Sequence, residues 1–467
     1  MRRPLPNGFL SRLERIVGAR YVTTDADGLE RASRDETPNL LPSLPDVVVR
    51  PGSAEEIADV VRACAEASVY LTPRGAGTGH SGGCVPLYGG VVLATDRVAR
   101  ILAIDAENHV ADVEPGVVLA DLQAAVEEVG LFYPPDPNSA AVCTLGGNVA
   151  ENAGGPRALK YGVTSDWLLG VEAVLPTGEG VRTGRRTVKG VAGYDLTSLL
   201  CGSEGTLAVL TKITLKLTPL PRAVETALVV MPSSEAAARA VAQVLAAGVV
   251  PRTLEYLDGR SIDAVQRFGA PYRFPAGAGA ALIVETDADT PQLALESLAR
   301  AVDVAHGAGA LDALVASDDR QRRDIWQSRR LLSEATRRIK KRKVAEDVVV
   351  PRSRIPELVA RHGELGDKHG LLTCAYGHAG DGNLHCQVLF DDDDELPQVE
   401  ALLHELFTVV VSMGGTITGE HGVGIAKRDF LPLEQSEEVI ALQRRVKAAF
   451  DPAGILNPGK VLPAPRR

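Results

Sequence analysis

The sequence predicts an α+β fold with two or three domains, and three observations support this prediction. The chain has 467 residues, of which 45% are hydrophobic, and this is enough for more than one compact core. Short apolar strands alternate with glycine-rich loops in the first half. From about residue 220 to 300, strand-like runs flank an alanine-rich helical pattern, which is typical of helices packed on an antiparallel sheet.

The first elements follow from apolar patterning and capping residues. Residues 1–18 (MRRPLPNGFLSRLERIVG) predict an amphipathic helix and not a signal peptide, since no uninterrupted apolar core follows the arginines. The segment 45–51 (PDVVVRP) predicts a short buried strand. Ser53 predicts the N-cap of a helix with apolar positions at Ile57, Val60, Val61 and Cys64. Further strands are expected at 69–72, 91–94, 110–113 and 171–175.

The second half begins after Pro219 and Pro221, which mark a predicted domain boundary. Strands are predicted at 227–231 and 281–285, and a helix is predicted at 234–247. The tail 451–460 (DPAGILNPGK) is rich in turn residues.

Composition excludes several classes of protein. The formal net charge of −10, with both signs interspersed, argues against nucleic-acid binding. The sequence has no run of 18 apolar residues and therefore predicts no membrane span. Six scattered cysteines without a CxxC pair argue against an iron–sulfur module and a disulfide scaffold, so the expected compartment is the cytoplasm.

Two charged runs are expected to be solvated. The basic stretch 337–343 (RRIKKRK) lies in a segment with a helical pattern, and we interpret it as an exposed helix face, with a docking patch for an anionic partner as the alternative. The acidic run 391–394 is interpreted as a surface loop and not as a metal cluster, because consecutive aspartates repel one another and point in different directions.

The glycine-rich segment 73–83 (PRGAGTGHSGG) matches the dinucleotide-binding pattern only superficially. Such a loop must open a helix, whereas the residues after Gly82 lead through Pro86 into the strand VVLA. A loop dense in backbone N–H groups can still wrap a pyrophosphate by itself. Two more glycine-rich segments, 133–155 and 202–209, lie beside short strands. Together the three segments predict that the chain folds around one large phosphate-bearing ligand.

Two short strings in the second half concentrate histidines. His378 and His385 lie on either side of an Asp-Gly-Asn turn, so a hairpin would bring both imidazoles to one end of a sheet. Glu420 and His421 follow in TGEHGVG. Imidazole with carboxylate suits zinc, manganese or iron, and Cys386 would face away from His385 in a strand. The alternative is that these histidines are structural.

Several of these strings resemble one family. PRGAGTGHSGG, PPDPNS, LGGNVAENAGG and CGSEGTLAVLTKITLKL are similar to the flavin domain of the vanillyl-alcohol oxidase superfamily, of p-cresol methylhydroxylase (PCMH) type. YGHAGDGNLH, GEHGVG and FDPAGILNPGK resemble the group that contains the glycolate oxidase flavoprotein subunit, D-lactate dehydrogenase and D-2-hydroxyglutarate dehydrogenase. The resemblance covers about residues 40 to 463.

The resemblance implies a two-subdomain FAD-binding domain and a substrate (cap) domain with an antiparallel sheet. The implied limits are 1–40 for an N-terminal helical segment, 41–220 for the FAD-binding domain, 221–425 for the substrate domain with the metal site, and 426–467 for a C-terminal segment that returns to the FAD domain. The residues implied to bind FAD are Arg74, Gly75, Ala76, Gly77, Thr78, Gly79, His80, Ser81, Gly82, Asp136, Ser139, Gly146, Gly147, Asn148, Asn152, Gly154, Gly155, Glu204, Gly205 and Asn457.

The same resemblance assigns the chemistry. His378, His385 and Glu420 would bind a divalent metal, and His421 would take the proton of the substrate hydroxyl. Arg329, in a W-x-x-R pattern with Trp326, would bind a substrate carboxylate, with Arg330 as the competing candidate. The expected reaction is oxidation of a small D-2-hydroxy acid of the lactate, glycolate or 2-hydroxyglutarate type, with hydride transfer to the flavin N5 atom.

The expected partners are the substrate and an external electron acceptor other than NAD: a quinone, a cytochrome, an electron-transfer flavoprotein or an iron–sulfur subunit. A homodimer and a peripheral position at the inner membrane are compatible with this expectation. His80 stands where close relatives more often carry an apolar residue, and more distant sugar-alcohol and lactone oxidases bind flavin covalently there. An alditol- or lactone-type oxidase therefore remains an alternative. A non-catalytic flavin subunit of a larger electron-transfer complex is a separate alternative.

Overall fold

The structure, a computed structural model, describes residues 2–464. The helices are α1 (Phe9–Val17), α2 (Ala26–Ala32), α3 (Ala54–Ala67), α4 (Leu119–Glu127), α5 (Leu145–Glu151), α6 (Ala158–Tyr161), α7 (Leu196–Leu200), α8 (Ser234–Ala246), α9 (Gly259–Phe268), α10 (Pro291–Gly307), α11 (Asp319–Arg330), α12 (Leu332–Arg337), α13 (Ile355–His369), α14 (Leu396–Ser412), α15 (Leu431–Glu434) and α16 (Glu437–Phe450).

The strands are β1 (Val22–Thr23), β2 (Val47–Val49), β3 (Leu71–Arg74), β4 (Val91–Ala94), β5 (Ile101–Asp105), β6 (Val110–Val113), β7 (Leu131–Phe132), β8 (Leu168–Val174), β9 (Gly180–Gly184), β10 (Val209–Lys216), β11 (Thr218–Pro219), β12 (Ala223–Met231), β13 (Thr253–Asp258), β14 (Ala280–Ala288), β15 (Asp312–Val315), β16 (Arg342–Val349), β17 (Leu372–His378) and β18 (Asn383–Phe390).

The chain divides into two compact units. Unit 1 comprises Met1–Gly154, Val163–Leu220 and Glu420–Arg467, and unit 2 comprises Gly155–Gly162 and Pro221–Gly419. The chain therefore passes back from unit 2 to unit 1 between Gly419 and Glu420.

Unit 1 contains three sheets. The first has the order β1-β2-β4-β3, in which β2, β4 and β3 are parallel. The second is antiparallel with the order β5-β6-β10-β8-β9, and the third pairs β7 with β11. Helices α1 and α3 pack on the first sheet through a core that includes Leu13, Ile57 and Val60. The Ser53 hydroxyl accepts a hydrogen bond from the Glu56 N–H, so the predicted N-cap of α3 is confirmed.

Unit 2 is built on one seven-stranded antiparallel sheet with the order β15-β12-β14-β13-β17-β18-β16. Tyr376 lies opposite both Leu257 and His385 in the sheet register, so Glu255, Tyr376, His378 and His385 share one face. Apolar residues of α9, α11 and α12 pack with Leu257 and Tyr376 on this face. The face that carries the histidines is therefore covered by helices.

The α+β class is confirmed, as are the first helix and the strands at 45–51, 91–94 and 110–113. The helix predicted at 234–247 and the strands around it are also confirmed, within the antiparallel sheet that their pattern indicated. The strand predicted at 69–72 begins two residues later. Ser68 adopts a left-handed conformation and the Val69 N–H bonds to the Cys64 carbonyl, so these residues end α3 before the strand can start.

The helical interpretation of the basic stretch 337–343 is wrong. Helix α12 ends at Arg337 and strand β16 begins at Arg342, and Lys343 is buried. The stretch pairs with the acidic run that follows β18, through Lys340–Asp391 at 2.6 Å, Lys341–Asp392 at 3.6 Å and Arg342–Asp393. These two runs could not be paired from sequence, because the strand register that brings them together joins residues about fifty positions apart.

Within residues 2–464, no helix combines the length and the apolar character that crossing a bilayer requires.

Candidate active site

The three glycine-rich segments of unit 1 meet at one cavity. Its lining includes Arg74 and Gly75 from the first segment, Gly146 and Gly147 from the second, and Glu204 with Gly205 from the third. The sequence predicted that the three segments share a ligand, and the structure brings these six residues together.

Close packing explains why two of these positions are glycine. A Cβ atom at Gly146 would lie 2.6 Å from the Cβ of Pro115 and 2.9 Å from its carbonyl oxygen, and a Cβ at Gly75 would overlap the Thr144 hydroxyl. Both glycines thus allow the backbone to approach its neighbours closely. A cofactor that needs close backbone contact fits this lining.

Three buried polar atoms near these loops have no hydrogen-bond partner within the part of the chain that the structure describes. They are the Ser81 hydroxyl, the Thr144 hydroxyl and the Asn148 side-chain nitrogen. A buried polar atom without a partner costs free energy, so each indicates a group that a ligand satisfies. Oxygen- and nitrogen-rich FAD is a suitable ligand for them. Ser81 and Asn148 were predicted from sequence, and Thr144 was not.

Two predicted FAD residues use their side chains elsewhere, and a third accepts hydrogen bonds through its backbone carbonyl. The Arg74 guanidinium donates to the carbonyl oxygens of Arg34 at 2.9 Å and Arg31 at 3.3 Å, so this lining residue of the cavity also fixes the end of α2. Asn152 ends α5 in a left-handed conformation and its side-chain oxygen accepts from the Ser165 N–H at 2.8 Å. The Ser139 carbonyl accepts from the N–H groups of residues 142 and 143.

The remaining predicted FAD positions lie in the first glycine loop and at two more sites. They are Ala76, Gly77, Thr78, Gly79, Gly82, Asp136, Gly154 and Gly155. Gly77 and Gly82 have positive φ angles of 78°, which a residue with a Cβ rarely adopts. Their contacts with FAD remain predictions.

His80 and His421 lie against each other in unit 1. Their ring centroids are 4.9 Å apart with an interplanar angle of 44°. The His80 Nδ1 atom also lies 3.2 Å from the Glu36 carbonyl oxygen. Because a carbonyl oxygen can only accept a hydrogen bond, Nδ1 carries the proton and donates it. The two rings come from positions more than three hundred residues apart, so sequence alone could not pair them. Their contact joins the first glycine loop to the loop that carries the predicted base.

Glu204 holds the loop that carries His421. Its buried carboxylate accepts from the N–H groups of Val423 and Gly424, each at 2.7 Å. Burial raises the pKa of Glu204, and these two hydrogen bonds and nearby lysines oppose the rise. The Asn457 amide donates to the carbonyl oxygens of Gly83 and Glu204, each at 2.8 Å. Asn457 therefore ties the C-terminal tail to two of the cavity segments.

Lys460 completes this arrangement and was missed by the sequence analysis. Its buried ammonium donates to the Val85 carbonyl at 2.6 Å and to the Asn457 side-chain oxygen at 3.0 Å. Burial lowers the pKa of Lys460 to about 8. The NPGK string could have indicated a role for this lysine, since Lys460 lies three residues after the predicted Asn457.

The histidine hairpin of unit 2 forms as predicted. β17 and β18 pair antiparallel, and the buried rings of His378 and His385 have centroids 5.4 Å apart at 82°. Their possible ligand nitrogens lie within 4.8 Å of each other. His378 Nδ1 is hydrogen-bonded to the Glu255 carboxylate, so Nε2 is the nitrogen that could bind a metal. A metal-binding histidine commonly donates its other ring N–H to a carboxylate in this way.

Glu255 joins the histidines to the predicted arginine. The Arg329 Nε atom donates to its carboxylate at 2.7 Å, and both side chains are buried. Burial alone would raise the pKa of Glu255, but the charges of His378 and Arg329 outweigh it and lower that pKa to about 2. Sequence analysis missed Glu255; the available signal was a carboxylate between the apolar residues Leu254 and Tyr256 of a strand.

Arg329 keeps a hydrogen-bond donor for a ligand. Its Nη2 atom is buried and has no partner among the described residues, and its guanidinium stacks 4.6 Å from the centroid of the Tyr376 ring. The Tyr376 ring in turn lies 5.7 Å from that of His385. Arg330 is exposed, so of the two candidates Arg329 is the one that lies beside the histidines. A buried guanidinium with a vacant N–H suits a carboxylate.

The donor set of unit 2 fits a divalent metal. Two buried imidazoles, one oriented by a carboxylate, suit zinc, manganese or iron. Glu420, the third predicted ligand, belongs to unit 1 and immediately follows Gly419. The Gly419 N–H donates to the Asp347 carboxylate at 2.8 Å, and Asp347 lies opposite His385 in the sheet. The role of Glu420 stays a prediction.

Comparison with known proteins agrees with these features. Residues 45–184 match the family described as FAD binding domain, and residues 220–461 match FAD linked oxidases, C-terminal domain. Glycolate oxidase subunit GlcD of Bacillus subtilis is 41% identical over 433 residues, which cover 92% of this chain and 91% of that protein. D-lactate dehydrogenase of Anaerostipes hadrus is 36% identical, with 97% of each chain covered.

The fold is also that of a solved structure. A crystal structure of p-cresol methylhydroxylase with substrate bound aligns with a TM-score of 0.81 over 99% of this chain and 98% of that chain, at 18% sequence identity. The expected PCMH-type fold is thereby confirmed. With the glycine-lined cavity and the two matched regions, the chain belongs to the FAD-linked oxidases and is an FAD-linked oxidoreductase.

Proposed function

We propose that the protein is an FAD- and metal-dependent dehydrogenase that oxidises a small D-2-hydroxy acid to the 2-oxo acid and passes the electrons to an acceptor other than NAD. The observation that carries this proposal is the buried group of His378, His385, Glu255 and Arg329, in which Arg329 has a vacant donor. The names of the glycolate oxidase and D-lactate dehydrogenase relatives support the same substrate class.

Different residues of the chain would bind the substrate, hold the metal and remove the proton. Arg329 would bind the substrate carboxylate through its vacant N–H, and its bond to Glu255 fixes the direction of the guanidinium. Glu255 also keeps the proton of His378 on Nδ1, which directs Nε2 toward a metal. His378, His385 and Glu420 would hold a divalent metal, which would supply Lewis-acid polarisation of the substrate hydroxyl. His421 would then take the hydroxyl proton.

The oxidation requires an electron acceptor near C2 of the substrate. Glu204 fixes the position of the loop that follows His421 through Val423 and Gly424. The glycine loops would bind and orient FAD, which would supply the electron acceptor by taking up hydride. A quinone, cytochrome, electron-transfer flavoprotein or iron–sulfur subunit would reoxidise it. The relative named as a subunit of glycolate oxidase makes a multi-subunit arrangement reasonable.

The test is anaerobic bleaching of the flavin band at about 450 nm by a panel of D- and L-2-hydroxy acids. We expect one D-acid to bleach metal-replete protein rapidly and chelation to abolish the reaction. If no acid bleaches protein that retains flavin and metal, the dehydrogenase proposal fails.

An alditol- or lactone-type oxidase is the second candidate, and His80 is the observation that favours it. Covalent flavin attachment at His80 would support this alternative. Acid precipitation tests it directly: a yellow pellet supports attachment, and a colourless pellet excludes it. The alditol- or lactone-type oxidase does not explain the buried pair His378 and His385.

A further inference from the structure

Helix α11 is tied to the sheet of unit 2 by three side chains on one of its faces. Arg322, Trp326 and Arg329 follow one another at intervals of four and three residues, a spacing that places them on the same side of a helix. Their hydrogen bonds run to three strands: from Arg322 to the Val224 carbonyl at 2.7 Å, from Trp326 to the Glu285 carboxylate at 2.8 Å, and from Arg329 to the Glu255 carboxylate at 2.7 Å. These strands, β12, β14 and β13, are consecutive in the sheet, so the three bonds fix α11 across it.

Glu285 is a firmly held acceptor for the Trp326 indole. Its side chain is buried, and the oxygen that accepts from Trp326 also accepts from the Thr226 hydroxyl at 2.9 Å. Its other oxygen lies 3.3 Å from the Arg252 guanidinium. Because Thr226 and Glu285 lie opposite each other on neighbouring strands, the carboxylate is fixed to the sheet and not to the helix. The bond from Trp326 therefore sets how α11 is rotated on the sheet.

The position of the vacant Arg329 donor depends on that rotation. Glu255 holds the Nε atom of the guanidinium group, whereas the buried Nη2 atom has no partner among the described residues. The other determinant of where Nη2 lies is the backbone of α11, from which the side chain starts. Trp326 lies one helical turn before Arg329 on the same face. A small rotation of α11 would therefore move this N–H relative to a bound carboxylate, and such displacements weaken an oriented contact.

We propose that Trp326 is a positioning residue for substrate binding: through its hydrogen bond to Glu285 it sets the rotation of α11 and thereby directs the Arg329 Nη2 atom to the substrate carboxylate. This role rests on the proposed function, in which Arg329 binds that carboxylate. It gives the W-x-x-R pattern a physical reason, since the two side chains bind carboxylates on the adjacent strands β14 and β13. Arg329 would hold the carboxylate equally before and during the reaction, so loss of Trp326 should raise KM and leave kcat nearly unchanged.

The test is anaerobic bleaching of the flavin by D-lactate, glycolate and D-2-hydroxyglutarate, each over a range of concentrations. Trp326→Phe keeps an aromatic ring and removes the N–H. For each acid that bleaches the unaltered protein, we expect the half-saturating concentration to rise about 3- to 10-fold, as for the loss of one hydrogen bond. The limiting rate should change by less than about twofold. The rise should be the same for these acids, because all of them share the carboxylate next to the hydroxyl group.

Replacements of Glu285 test whether Trp326 acts through this carboxylate. Glu285→Leu removes the acceptor and should raise the half-saturating concentration at least as much as Trp326→Phe does. Glu285→Gln keeps an acceptor oxygen for the indole and should raise it less than Glu285→Leu does. Protein that carries both Trp326→Phe and Glu285→Leu should be no worse than protein with Glu285→Leu alone, because both changes remove the same bond.

The matched control is Trp167→Phe, which alters the other tryptophan of the chain, in unit 1, and should leave the half-saturating concentrations unchanged. If the Trp326→Phe protein is bleached with unchanged half-saturating concentrations, the positioning role is overturned and the proposed function stands. A fall in limiting rate without a rise in half-saturating concentration, or additive effects of the two substitutions, would also overturn that role. If none of the three acids bleaches the unaltered protein, the proposed function and the role of Trp326 are both overturned.

Discussion

The two units build their binding sites from different parts of the chain. Unit 1 lines its cavity with glycines from three segments among larger residues, and Gly75 and Gly146 leave no room for a Cβ atom. Unit 2 places side chains in a buried group on one face of a sheet, where Glu255 links His378 to Arg329. The cavity of unit 1 therefore does not tolerate an added Cβ at these glycines, whereas the site of unit 2 depends on each donor and acceptor.

Loss of a histidine in unit 2 should have the largest effect. His378→Ala removes a proposed metal ligand and leaves Glu255 and Arg329 without its imidazole, so we expect turnover to fall about a thousandfold. Metal content by elemental analysis should fall, while flavin absorbance stays unchanged because unit 1 keeps its glycines. His404→Ala, on the exposed side of α14, is the control. If the His378→Ala protein also loses FAD, FAD binding in unit 1 depends on the side chains of unit 2, and the two sites are not independent.

An added methyl group in unit 1 should give the reverse result. Gly146→Ala forces a Cβ against Pro115, and strain of this kind should weaken FAD binding by about 10- to 100-fold. Titration of the apoprotein with FAD measures this change, and metal content should remain full. Gly180→Ala is the matched control, since a Cβ there meets no atom within 4 Å. Equal loss of affinity in both variants would contradict the role of Gly146.

Loss of the carboxylate behind His378 should have a smaller effect than loss of the ligand itself. Glu255→Gln keeps the shape of the side chain but removes its charge from His378 and Arg329. We expect metal affinity to fall about 10- to 100-fold, as it does when other residues that hydrogen-bond to a metal-binding histidine are replaced. Competition with a chelator measures it, with Glu225→Gln on strand β12, two strands away in the sheet, as control. Unchanged metal affinity would show that Glu255 serves only Arg329.

The difference between the units also explains what the sequence could predict. The glycine segments and the hairpin of His378 and His385 are each encoded by a continuous stretch of sequence. The shared ligand of the glycine segments and the hairpin itself could therefore be predicted from local pattern. Glu255 could not, because only the register of β13 with β17 brings it near His378. The bonds from Glu204 to the loop after His421 likewise join distant positions. Local pattern therefore indicated the elements, and contacts between distant strands and loops determined which side chains meet.

Replacement of Lys343 should have the smallest effect, a pH-dependent change in stability. Lys343 is buried on the face of the unit 2 sheet that carries the histidines, and the change tests that burial. Lys343 shares a face of β16 with Asp347, and its ammonium donates to the Ser333 carbonyl at 3.0 Å and to the Ser333 hydroxyl at 2.8 Å. Burial, with a further contribution from Arg337, lowers the pKa of Lys343 from 10.5 to about 8. Between these two pH values the unfolded chain binds more protons than the folded chain, so stability from this group rises with pH.

Lys343→Met removes this titration. The free energy of unfolding of the unaltered protein, relative to that of the Lys343→Met variant, should therefore rise by about 1–3 kcal/mol as the pH increases from 8 to 10.5. The lost hydrogen bonds to Ser333 shift the difference between the two proteins by a similar amount at every pH and leave its slope unchanged. Urea unfolding at several pH values measures that slope. A flat difference would mean that the Lys343 ammonium is solvated in the folded protein, and a falling one would mean that an acidic group raises its pKa.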